Sequence, residues 1–201
     1  MAAKKLVNLY DVMDYCRISN PDSRESDILD RLIENCSSQI VTALSRDIYL
    51  QTYTSEYYNI DRDTSSIFLK QYPVSSTPAV TVTENGTALV EGTSFKLDYA
   101  RGELFRTSGI TELLFASGIQ VLAVTYRAGY SMADIPEALK QACTELAYFK
   151  LKNRDGGALE EITFEGSRGG TGTKRAKMKK GLPENVYYMI EDHMDSRVKI
   201  S

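Results

Sequence analysis

Tyr49-Leu50-Gln51-Thr52-Tyr53-Thr54-Ser55-Glu56-Tyr57-Tyr58 is the stretch where the chain changes its period. Leu50, Thr52, Thr54, Glu56 and Tyr58 alternate with Tyr49, Gln51, Tyr53, Ser55 and Tyr57. A two-residue period rich in Tyr and Thr suits a pleated surface. Before it the apolar residues recur at helical spacing, and helical spacing returns only after Gly129-Tyr130. The pattern therefore predicts an α+β fold: a small helical bundle of three to four helices with an inserted antiparallel β domain. Residues 1–48 and 131–201 would build the helical core, and 49–130 the insertion.

Inside the insertion the strand signals continue through Ile67–Lys70, Ala79–Thr83, Thr87–Val90, Ser94–Tyr99, Glu103–Arg106 and Ile119–Arg127. Glu84-Asn85-Gly86-Thr87 places Asn-Gly between two of them, the strongest short hairpin signal. Ala100-Arg101-Gly102 is a second turn, and Pro73 and Pro78 bracket a loop or edge segment. Upstream, Leu6, Leu9, Tyr10, Met13 and Cys16 predict a short helix over 6–16. Asp22 or Ser23 then caps a second helix running to about Arg46, with Ile28, Leu29, Leu32, Ile33, Cys36, Ile40, Ala43 and Leu44 on its apolar stripe. Downstream, Asp134 and Pro136 open a third helix that carries Leu139, Ala142, Cys143, Leu146 and Phe149. Ile162-Thr163-Phe164 reads as one short strand. A last helix starts near Pro183, with Val186, Met189, Ile190, His193 and Val198 on one side.

A chain of 201 residues with 42% apolar and 25% charged residues holds a core without staples. No apolar run approaches the ~20 residues of a membrane span, and no apolar stretch follows Lys4-Lys5 as a signal peptide requires. Cys16, Cys36 and Cys143 are odd in number and far apart, which fits a reducing compartment and buried helix positions.

Catalysis has little to stand on. His193 is the single histidine, so any Ser-His-Asp or Cys-His arrangement would need it as the base. The Cys and His positions lack zinc-ligand spacing. Asp61-Arg62-Asp63 lacks the glycine and distal Glu of a calcium loop and reads as a polar turn. No catalytic residue, metal site or cofactor is expected.

Gly166 to Gly181 stands out by charge. It holds Arg168, Lys174, Arg175, Lys177, Lys179 and Lys180 and no acidic residue. Without these six, 18 positive residues face 27 negative ones, a balance of −9 instead of −3. The glycines at 166, 169, 170 and 172 do not form a phosphate-binding loop, because Thr173 separates Gly172 from Lys174 where the motif needs Lys directly after Gly. Basic residues on a glycine-rich loop neutralise phosphates without reading bases, and with no aromatic interleaved there is no stacking platform. One copy of so acidic a chain is a weak DNA binder. Many copies around a hole would line it with cations.

The order of motifs resembles the phage head-tail connector, or head-completion adaptor, family in a long form with a β insertion. The residues carrying the likeness are Leu9 to Ile18, Asp27 to Cys36, Phe68-Leu69-Lys70-Gln71-Tyr72-Pro73-Val74, Val121 to Tyr130, Ile135 to Ala142 and Leu182-Pro183-Glu184-Asn185-Val186. Tyr15-Cys16 departs from the more aliphatic pair that members often have, and 166–181 matches no family motif. The resemblance implies a non-enzymatic structural adaptor of the virion neck, assembled in the host cytoplasm as a dodecameric ring under the portal protein. Its other partners would be a tail or stopper (tail-terminator) protein and the packaged double-stranded DNA; no membrane is implied. The six basic residues would face the DNA channel or the portal. Leu182, Pro183, Val186, Met189 and Ile190, in the closing segment 182–201, would dock on the portal. The alternative is a monomeric, non-sequence-specific nucleic-acid-binding module.

Overall fold

The computed structural model describes residues 5–154, 162–165, 171–174 and 178–194. The chain divides into two compact units, Asp47–Asp134 and the remainder on either side of it. The fold class is α+β, with four helices among the described residues and antiparallel sheets.

The helical unit opens with α1 (Leu9–Cys16). It starts later than the apolar spacing suggests because Asn8 caps it, accepting the Asp11 N–H at 2.8 Å; Leu6 and Val7 are buried ahead of it. The second helix, α2 (Ser23–Leu44), begins with a capping box in which Asp22 accepts from the Glu25 N–H and Glu25 from the Asp22 N–H. Each such cap stabilises a helix start by about 1 kcal/mol. Leu29, Ile33, Cys36, Ile40 and Leu44 are buried along one stripe.

Eight strands follow in the inserted unit: β1 (Gln51–Ile60), β2 (Ser66–Phe68), β3 (Thr81–Glu84), β4 (Thr87–Leu89), β5 (Phe95–Asp98), β6 (Glu103–Ser108), β7 (Thr111–Glu112) and β8 (Gly118–Ala128). One sheet has the order β1-β8-β3-β4 and the other β2-β6-β5, with β7 paired to β6. The two-residue β7 is too short to leave a periodic trace in the sequence. Asn85 (φ 48°) and Gly86 (φ 77°) form the expected tight hairpin between β3 and β4. Phe95, Leu104, Leu122, Val124 and Tyr126 lie in one shared core.

The first and last strands of this unit pair with each other, from Gln51↔Ala128 to Ile60↔Gly118. Entry and exit are tied by Leu50 N–H to the Tyr130 carbonyl at 2.8 Å and Tyr130 N–H to that of Ile48 at 2.7 Å. Gly129 (φ 104°) is required at the crossing, since a Cβ there would stand 2.6 Å from the Tyr49 carbonyl carbon and oxygen.

The chain returns to the helical unit with α3 (Glu137–Arg154), whose Leu139, Ala142, Cys143, Leu146 and Ala147 are buried. Asp134 does not cap this helix. Its carboxylate takes the Ser131 hydroxyl, while the Pro136 carbonyl accepts the first helical N–H groups, those of Leu139 and Lys140. Two short ladders come next, β9 (Ile162–Glu165) with β10 (Thr171–Lys174), and β11 (Met178–Lys179) with β12 (Leu182–Pro183). The basic segment, expected as a glycine-loosened loop, thus contains strand residues: Thr171 and Thr173 favour extended backbone and pair with the Ile162–Glu165 strand. The last helix, α4 (Glu184–Glu191), packs on α3 and α2. Val198, assigned to it from spacing, lies outside the described residues.

Candidate functional site

The described part of the basic segment is built on the β11–β12 hairpin. Its two turn residues, Lys180 (φ 50°) and Gly181 (φ 77°), both lie in the left-handed region, as a two-residue hairpin turn of this hand demands. Glycine meets that demand freely, and Lys180 does so at a cost of about 1 kcal/mol. The turn is tied to α2 by the Gln39 side-chain amide, which donates to the Gly181 carbonyl at 2.7 Å.

Lys179 and Lys180 have different surroundings. The Lys179 ammonium sits 4.1 Å from the ring centre of Tyr187 and 5.0 Å from that of Tyr188, and 3.7 Å from the Glu191 carboxylate. Lys180 is exposed and lines a recess of about 330 Å³ with Gln39, Thr42, Ala43 and Ser45. Among the described residues no carboxylate stands within ion-pair distance of Lys180. Lys174 ends β10, opposite Ile162. Arg168, Arg175 and Lys177 lie outside the described residues.

Most of the residues assigned to portal docking are spent inside the chain's own fold. Leu182, Val186 and Ile190 are fully buried, Pro183 is buried and Met189 is half-buried. The amphipathic pattern that marked them as an interface is the pattern that packs α4 onto α3 and α2. What α4 shows to solvent is Tyr188, 54% exposed, and Asn185, whose amide donates to Glu145 at 2.6 Å.

The thiols and the histidine sit in structural settings. Burial pushes the Cys36 thiol up to about 11 and the Cys143 thiol up to about 12. Ser37 Oγ lies 3.4 Å from the Cys143 sulfur and accepts the Leu6 N–H. Burial and the nearby Arg46 charge push His193 below its usual range, so it is neutral at neutral pH; Arg46 Nε donates to its carbonyl at 3.2 Å. Among the described residues no group of His, Cys, Asp and Glu could hold a metal ion. No helix among them is long and apolar enough to cross a membrane.

Two features of the β unit escaped the sequence. Glu56, in the middle of β1, accepts the hydroxyls of Tyr126 at 2.6 Å and Tyr58 at 2.5 Å, with the Lys70 ammonium at 3.0 Å. Burial opposes its charge, yet these three donors hold the carboxyl below its usual range. An exposed aliphatic group, Ile110 (96%), Ile119 (83%), Leu114 (56%) and Leu113 (39%), lies between Arg106 and Arg127, where Glu112 is the one charged residue. Scarcity of charge there is the sequence signal that marks it, and apolar side chains so exposed mark contact surfaces.

Two folded units with exposed aromatic and aliphatic surface and a cationic hairpin make this an assembly component by construction. The family model described as head completion protein matches residues 5–195, and the chain belongs to that family. The family anticipated from the order of motifs is therefore the family found. No curated protein matches the chain. Among solved structures, the fold is shared with a chain in the neck of an empty GTA particle computed with C6 symmetry (TM-score 0.54, 16% identity, 98% of this chain and 94% of that one). It is shared as well with a chain from the virion of a native gene transfer agent (GTA) particle (TM-score 0.53, 16% identity, 98% and 97%). A third is from the neck of a native GTA particle computed with C12 symmetry (TM-score 0.50, 15% identity, 98% and 97%).

Proposed function

We propose that the chain is a structural, non-catalytic adaptor in the neck of a tailed-phage-like particle, where copies form a ring under the portal and join head to tail. The observation carrying this is the head completion family match over nearly the whole chain. Similar chains in necks computed with C6 and C12 symmetry support a ring, with twelve copies as the favoured number. The helical unit is the adaptor core and the β unit supplies lateral or outward contacts, including contact with a tail or stopper protein.

The basic segment 166–181 faces the DNA channel or the portal. One copy carries too little net positive charge to hold DNA, but a ring repeats the cations around an axis, where non-specific contact with passing duplex needs no base reading. With Leu182, Pro183, Val186 and Ile190 buried, docking of the C-terminal part on the portal falls to outward residues such as Met178 and Tyr188. Electron cryomicroscopy of the purified chain mixed with the portal ring of its own particle tests this. The expected result is a ring of copies coaxial with the portal. Monomers that never bind the portal at any concentration refute it.

A further inference from the structure

The six basic residues of 166–181 form a group by sequence, but the two whose side chains the structure describes are not equivalent. We infer that Lys179 orients the basic segment rather than touching its anionic partner, and that its neighbour Lys180 is a contact residue. This rests on the proposal that the segment meets an anion, and it divides the labour within it.

The argument starts from where each ammonium can go. Lys179 lies on the ladder of the β11–β12 hairpin, opposite Leu182. Its charge is already placed over the buried Tyr187 ring and beside Tyr188 and Glu191. The two rings meet edge to face, 6.0 Å apart at 82°. A cation held by two aromatic faces and a carboxylate loses these partners if it swings out to a phosphate or an acidic side chain. It gains little by the exchange.

The same contacts join the strand that ends the basic segment to α4. Together with the bond from Gln39 to the Gly181 carbonyl and the fully buried Leu182, they fix the hairpin at which the segment rejoins the helical unit. Lys180 is then held in the turn with its side chain outward at the edge of the recess formed with Gln39, Thr42, Ala43 and Ser45. One lysine sets the direction of the segment and the next presents charge.

Full-length Lys179→Met, Lys179→Arg and Lys180→Met chains test this in two measurements. The first is binding to a short DNA duplex over a salt series, where each phosphate contact contributes about 0.9 to the slope of log K against log salt. Lys180→Met should lower the slope by about that amount. Lys179→Met should weaken binding by the same factor at every salt concentration with the slope unchanged, and Lys179→Arg should restore it. The second is amide hydrogen exchange over 178–182, which should speed up about two- to fivefold in Lys179→Met, the size of one cation–π contact at a part-exposed site, and stay at the wild-type rate in Lys180→Met. A slope lowered equally by both Met variants overturns the division of roles, as does unchanged exchange in Lys179→Met. Wild-type chain showing no salt-dependent binding removes DNA as the segment's partner, which is a failure of the proposed function; the orienting role of Lys179 is then decided by the exchange rates alone.

Discussion

Replacing Glu56 by Gln isolates the charge at the centre of the β unit while keeping its shape. The carboxylate is 14% exposed, and one oxygen receives both tyrosine hydroxyls while the other faces Lys70. The two hydroxyls are themselves acceptors, for the Lys70 N–H at 3.2 Å and the Gln71 N–H at 3.3 Å. The polar chain thus runs from the backbone after β2, through two tyrosines, to one buried charge. In Glu56→Gln the amide oxygen keeps the tyrosine pair, so no hydroxyl is orphaned. What is lost is the charge assistance to two hydrogen bonds, about 1 kcal/mol each. The ion pair to Lys70, whose side chain is 62% exposed, adds at most a few tenths. The expected loss is about 2 kcal/mol, or about 4–8 °C in Tm for a chain of this size. The pH dependence carries a second signature. Because the folded carboxyl lies below its ordinary value near 4.5, the unfolded chain binds the proton more readily. Its contribution is complete above that ordinary value and is lost as pH falls through the folded one. Thermal unfolding followed by circular dichroism at pH 7 and through acid should show wild type losing more stability on acidification than Glu56→Gln. A variant that melts within 1 °C of wild type and keeps the same acid dependence would falsify this account of the cluster.

Gly129→Ala should destabilise the inserted unit by more than about 3 kcal/mol, since the new methyl meets backbone 2.6 Å away at a φ of 104°; urea unfolding measures it, and a loss under 1 kcal/mol would mean the crossing relaxes easily. Thiol labelling of the native chain near pH 8 should modify Cys16 alone, because Cys36 and Cys143 are buried with thiols pushed up to about 11 and about 12. Mass spectrometry should find one label per native chain and three in denaturant, and rapid native labelling of Cys143 would show that α2 and α3 separate readily.

Helices and hairpins were legible because their signals are local. Asp22 and Glu25 name the start of α2, and Asn85-Gly86 names a turn whose two positive φ values only a few residues accept. The pairing of β1 with β8 across 60 to 70 residues was not legible, because partner choice depends on the whole sheet. The docking residues on α4 were misplaced for a related reason. An apolar stripe says that a face is covered, and here the cover is α2 and α3 of the same unit.

Glu56 was hidden by a single irregularity in the very stretch whose period reveals the fold. Strict alternation puts Glu56 and Tyr58 on the face of Leu50, Thr52 and Thr54, opposite Tyr53. In the structure Thr54 and Ser55 together oppose Thr125, between the pairs Tyr53↔Tyr126 and Glu56↔Val124. Ser55 takes a φ of 51° and donates its N–H to the Thr125 hydroxyl at 2.8 Å. This bulge adds one residue to β1 and inverts the parity beyond it, so that Tyr53, Glu56, Tyr58 and Ile60 all turn inward. The inversion brings a carboxylate beneath Tyr126, the ring on which Tyr53 stacks at 5.2 Å. A buried charge in a β core is costly unless donors surround it, and the bulge is what places Glu56 within reach of three. Nothing in the sequence of β1 marks Ser55 as the extra residue: its partner Thr125 is 70 residues away, and the charge it relocates becomes stabilising only after the whole sheet has closed.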